Sequence, residues 1–333
     1  MREFVVRLLL VTPLVLWGAL VISLAGAPGG SVPPWRVVLA VLWSAGLLVA
    51  LWRLRRPQAA GACALLWLPV LAFFLLLRPS NDRDWELHAT RTPHATIHED
   101  TVVIHDLRSF RWQPDGTYEP RWRDKEVRLD ELEESAFVLT RFGGLEAVAH
   151  VMASFRFTGD RFVVLSVEIR RERGESYHPL GGAFRQYELF YVAADERDAI
   201  GLRTFVHGDP TWVIPMRAGP EANRAFFLDM VRRMNALHER PVWYNTVVRS
   251  CASELARHYE AVNDLRLGLD RRVFLPGFSD ELLEELDLLP EGVDRETARA
   301  LFQVNERAIA HGDRPGFSRA IRGEAPAPDE PPR

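Results

Sequence analysis

The chain opens with three long apolar stretches and then changes character. Phe4–Gly26, Trp35–Trp52 and Gly61–Leu77 are nearly free of charge, whereas polar and apolar positions mix throughout the sequence beyond Arg78. Each run is about long enough to cross a ~30 Å hydrocarbon slab at ~1.5 Å per residue. The pattern therefore predicts three spanning helices within residues 1–78. A cleaved signal peptide is the competing reading of the first run, but its length and the two runs behind it count against that.

Past the membrane segment the period changes. Residues 94–112, HATIHEDTVVIHDLRSFRW, predict two short strands broken at Glu99-Asp100. Asp130 to Gly144 predicts a short helix or turn ending at glycine. The strongest pattern is a period of two from Ala147 to Arg170. It puts Val151, Ala153, Phe155 and Phe157 on one face of a first strand and His150, Met152, Ser154 and Arg156 on the other. A second strand sets Val163, Leu165, Val167 and Ile169 against Ser166, Glu168 and Arg170. Cross-strand partners share a face, so apolar must meet apolar. Pairing Phe155 with Val163 does this, leaves Thr158-Gly159-Asp160 as a three-residue loop, and sets His150 directly across from Glu168. Gln186–Asp195, IGLRTFV and TWVIPM predict further strands. Residues 219–240 then predict a helix, and a second begins near Cys251. Ser279 is the expected N-cap of a third, and Asp294 caps a last one. The tail GEAPAPDEPPR is proline-rich and acidic and predicts disorder.

Charge orients this outline. Arg2, Arg7, Arg53, Arg55 and Arg56 flank the first apolar run and fill the second loop, while the loop APGGSVPP is uncharged. Basic loops stay cytoplasmic, which predicts a cytoplasmic N-terminus and an extracytoplasmic domain after Arg78. The formal net charge of −4, with no basic stripe, speaks against nucleic acid. Two cysteines, Cys63 and Cys251, cannot build a disulfide framework. The ten histidines show no metal-ligand spacing, so neither metal nor cofactor is expected.

A lone thiol outside the cytosol risks oxidation and asks for a reason. Cys251 falls at a predicted helix start, where the macrodipole and a nearby imidazole would lower its pKa. The candidate constellation is Cys251 as nucleophile, His150 as base then acid, and Glu168 holding the ring. Backbone amides at the helix start would cradle an oxyanion. Each residue also has a plainer reading: a small core thiol, a satisfied core histidine, half of a strand-face ion pair with Arg156 or Arg170.

The stretches AHVMASFRFTGDRFVVLSVEIRRERGE, ERPVWYNTVVRSCAS and FLPGFSDELLEELDLL resemble blocks of the Lnb-type N-terminal periplasmic domain family. That resemblance implies bacterial membrane-anchored proteins related to a lipoprotein acyltransferase that yields the lyso form. It matches His150, Glu168 and Cys251 to the family's histidine, acid and cysteine. One departure stands out: family members commonly read Asn-Cys-Thr-Thr where this chain has Ser250-Cys251-Ala252-Ser253. By analogy with lecithin–retinol acyltransferase, the order His, strand acid, Cys implies a circularly permuted papain-like domain. The expected fold class is α+β, with three transmembrane helices followed by that domain's antiparallel sheet and helices. The expected division is an anchor at 1–78, connecting strands and a short helix at 79–145, a catalytic domain at 146–270, a helical extension at 271–318 and a disordered tail at 319–333. Arg170, with Arg171 and Arg173, is a candidate grip on a lipid phosphate or carboxylate, though a solvated turn explains it too. Tyr187, Tyr244 and Asn245 are candidates to line the cleft. The expected function is an inner-membrane thiol acyltransferase or hydrolase acting on lipid or lipoprotein substrates. A papain-like peptidase or amidase acting on envelope peptides and a non-catalytic envelope protein are the alternatives.

Overall fold

The computed structural model describes residues 2–27, 32–268 and 270–325. The chain forms two compact units. The first comprises the residues up to Thr90 together with 169–189 and 241–246.

Its long elements are the helices α1 (Arg2–Leu24), α2 (Pro34–Arg53) and α3 (Arg56–Leu76), joined by a short α4 (Pro179–Ala183). Gly18 lets α1 and α2 approach closely: a Cβ there would lie 2.2 Å from the Trp43 ring. That ring's Nε1 donates to the Leu66 carbonyl at 2.8 Å, tying α2 to α3. Two helices, Pro34–Arg53 and Pro57–Leu76, are long and apolar enough to cross a membrane, by length and composition. Val11–Leu24, the part of α1 whose side chains are described, is a shorter apolar stretch. The described residues thus carry two candidate spans, where the hydropathy pattern predicted three.

The second unit holds an eight-stranded, mostly antiparallel sheet among the described residues. Its strands are β1 (His94–His98), β2 (Thr101–Arg108), β5 (Trp122–Arg128), β6 (Leu132–Arg141), β7 (Ala149–Phe157), β8 (Arg161–Arg170), β9 (Glu188–Ala194) and β10 (Thr211–Pro215), with β3 (Arg111–Trp112) and β4 (Tyr118–Glu119) forming a separate ribbon. The order is β1-β2-β9-β8-β7-β6-β10, with β5 also on β2. The parallel pair is β2 with β9. The β7–β8 register is the predicted one, with Phe155 opposite Val163 and Phe157 opposite Arg161. Gly159 sits in the connecting loop at φ +76°, a conformation glycine adopts without strain.

Helices cover both faces. They are α5 (Glu196–Gly201), α6 (Pro220–Glu239), α7 (Cys251–Asn263), α8 (Arg271–Phe274), α9 (Ser279–Glu285), α10 (Arg295–Leu301), α11 (Asn305–His311) and α12 (Phe317–Arg322). On one face Phe155 meets Phe226 and Phe227 of α6, ring centroids 5.6 and 5.0 Å apart, and α7 packs against β7. On the other face Ser154 donates to Glu196 of α5, whose carboxylate is paired with Arg322 of α12 at 2.7 Å.

Several local expectations are corrected. β6 is a strand, not a helix or turn. Residues 135–140 are buried on both faces, so no alternation showed, and the neighbouring acidic residues imitated a helix start. IGLRTFV, predicted as a strand, is the end of α5 and a π-helical turn, Leu202–Val206. Its β-branched and aromatic content misled, and the Asp195 carbonyl starts the helix by accepting from the Asp198 and Ala199 amides. Ser279 is the first residue of α9 and Phe278 the cap. Asp294 caps α10, accepting from the Thr297 amide. The expected last helix breaks at Phe302–Val304, where the chain bonds edge strand β10 through Val213 N–H to Phe302 O and Val304 N–H to Thr211 O. Covering that edge removes a site for unwanted pairing. The tail from 326 onward lies outside the described residues.

Candidate active site

Cys251 is the first residue of α7. Ser250 precedes it in extended conformation and caps the helix. Its hydroxyl accepts from the Ser253 amide, and the Ser253 hydroxyl accepts from the Ser250 amide at 2.8 Å. This capping box is built from the residues by which the chain departs from Asn-Cys-Thr-Thr. It fixes the helix entry and leaves the thiol at the positive end of the macrodipole.

His150 lies near the start of β7, opposite Thr140 of β6, and is 7% exposed. Its Nε2 lies 2.8 Å from Ser166 Oγ and 3.0 Å from Glu168 Oε1. The Ser166 hydroxyl donates to the same Glu168 oxygen at 2.7 Å, and so does Arg203 at 3.0 Å. Nε2–H is therefore the donor toward the serine and carboxylate. The imidazole and the Val151 amide are near enough to the Cys251 thiol to favour its charged form.

Electrostatics follow from this wiring. Burial opposes a charge on His150, but Glu168 and then Cys251 outweigh it, and the pKa rises to about 9. Burial likewise opposes the Cys251 thiolate, yet the imidazole and the Val151 amide hold the thiol below its ordinary value. Glu168 is held well below the usual carboxylate range: burial works against this, and His150 and Arg203 prevail. The His150 value is thus raised and the Cys251 value lowered, the two directions that favour a thiolate–imidazolium pair beside an ionised carboxylate. A thiolate so placed is equipped to attack an electrophilic carbon.

Residues 118–277, which include all three of these side chains, match the family of Lnb N-terminal periplasmic domains. Together with the two apolar helices, the Lnb domain marks a membrane-associated protein with an extracytoplasmic part. No curated protein and no solved structure matches the chain.

The predicted substrate residues lie in the first unit, whereas Cys251, His150 and Glu168 stand together in the second. Arg170 is 2% exposed, stacked on Trp85 at 4.2 Å and donating to the Ala89 and Thr90 carbonyls and to Asn81. It is an internal anchor, not part of a solvated turn. Tyr187 is fully buried; its hydroxyl donates to the Ser176 carbonyl and accepts from the His178 amide. Tyr244 is buried and Asn245 half-buried, and the Tyr244 amide donates to Tyr187 O.

Two site residues escaped the sequence reading. Ser166 carried a signal, since it shares a strand face with Glu168. Arg203 carried none, because its segment read as a strand. Among the described residues no group of three or more His, Cys, Asp or Glu is arranged to hold a metal ion.

Proposed function

We propose that this Lnb-domain protein is a membrane-anchored thiol acyltransferase or hydrolase, and that its second unit is arranged as a circularly permuted papain-like enzyme. The observation that carries this reading is the closeness of the Cys251 thiol to an imidazole whose Nε2 lies 3.0 Å from Glu168 Oε1. Strand histidine, strand acid and helix-start cysteine occur in the chain order that the permuted arrangement requires.

In this reading the Cys251 thiolate attacks the carbonyl carbon of an acyl group borne by a lipid or lipoprotein. The C–S bond forms, the bond to the leaving oxygen or nitrogen breaks, and the imidazolium proton of His150 passes to that leaving atom. First-turn amides of α7 face the developing oxyanion. An amine or water then attacks the thioester, His150 takes its proton, and the thiolate is restored. Glu168 acts by fixing the ring and its charge.

The test is to trap the intermediate. Full-length protein in detergent, treated with a p-nitrophenyl acyl ester, is expected to gain one acyl mass on the peptide containing Cys251. Hydroxylamine should remove it, and Cys251→Ser should show no hydroxylamine-labile adduct. An unmodified Cys251 under conditions that modify free cysteine would end the enzyme reading and favour a structural thiol.

A further inference from the structure

A cavity of about 60 Å³ lies beneath α7, between that helix, the β6–β7 side of the sheet, α6 and α9. Its lining includes Val151, whose amide helps hold the Cys251 thiol below its ordinary value, and Ala252, which follows Cys251 in the chain. Leu283 and Leu286 line it as well. The charged group on the wall, Arg272, is spoken for by Asp270 and Glu285. Interiors are close-packed, and a void lined by leucine, valine and phenylalanine stays dry and takes apolar guests.

We propose that this cavity seats the first carbons of the acyl chain that Cys251 carries. At the ~30 Å³ of a water-sized group it has room for about two or three carbon atoms. The remainder of a longer chain leaves past half-buried Leu286. This rests on the thioester reading and adds a chain-length rule to it. Each methylene placed in the cavity is worth about fourfold.

The experiment measures acylation of Cys251 by intact mass, using p-nitrophenyl esters from acetyl to dodecanoyl with full-length protein in detergent. The rate is expected to climb about fourfold per methylene as far as propionyl or butyryl and then level. Ala256→Leu fills the cavity from the half-exposed side of α7 and is expected to flatten that climb. Leu286→Ala is expected to extend it to hexanoyl. Iodoacetamide, which has no chain, should label all three proteins at the same rate, showing that the thiol is intact. Acylation indifferent to chain length, or a climb that survives Ala256→Leu, overturns the cavity proposal alone. No acylation with any ester overturns the thioester reading beneath it.

Discussion

Glu168 Oε1 collects three donors, from His150, Ser166 and Arg203, and each has a distinct effect on the His150 proton. Following the ring by NMR, the intact protein is expected to titrate at about 9. Glu168→Gln should move that value down. Arg203→Gln should move it up, because the guanidinium opposes the imidazolium. The folded pKa lies above the ordinary ~6.5, so the charged ring's contribution to stability is complete below ~6.5 and is lost as pH rises through about 9. The unfolding free energy of wild type over Glu168→Gln should therefore be largest near pH 6 and shrink by pH 9.5. A gap that widens with pH would contradict the assignment. Ser166→Ala removes the hydroxyl between ring and carboxylate and should lower the His150 value by less than Glu168→Gln does.

At the scale of elements, the nucleophile depends on how α7 begins. Ser250→Ala deletes the side chain that accepts the Ser253 amide and should cost about 1 kcal/mol in urea unfolding. The Cys251 thiol should also become less acidic as the first turn frays. The hairpin that holds His150 and Glu168 was legible in the sequence because an unbroken alternation allows a single register with apolar residues facing apolar ones. That register alone brings the acid to the imidazole. Where a strand is buried on both faces, as β6 is, alternation vanishes and the acidic residues at its start resembled a helix. The placement of Arg203 was hidden for a different reason. A π-helical turn has no sequence period of its own, and Thr204, Phe205 and Val206 all favour strands. Arg170, Tyr187 and Tyr244 were noticed for chemistry they could carry, but burial and internal hydrogen bonds account for them.

Taken whole, the molecule joins apolar helices to a domain whose family is periplasmic. The basic residues at the α2–α3 junction make the cytoplasmic side the expected home of that junction. Arg240 is exposed in the second unit. In a Cys63→Ala, Cys251→Ser background, Arg240→Cys should react with a membrane-impermeant maleimide in intact spheroplasts, and labelling that needs lysis would reverse the orientation. The central claim, that Cys251 is a thiolate kept by His150, is tested most directly by the pH dependence of iodoacetamide labelling in wild type and His150→Ala. The account expects wild-type Cys251 to titrate well below the ~8.5 of a free thiol and to rise when the imidazole is removed. A thiol that titrates at the ordinary value in both proteins would contradict it.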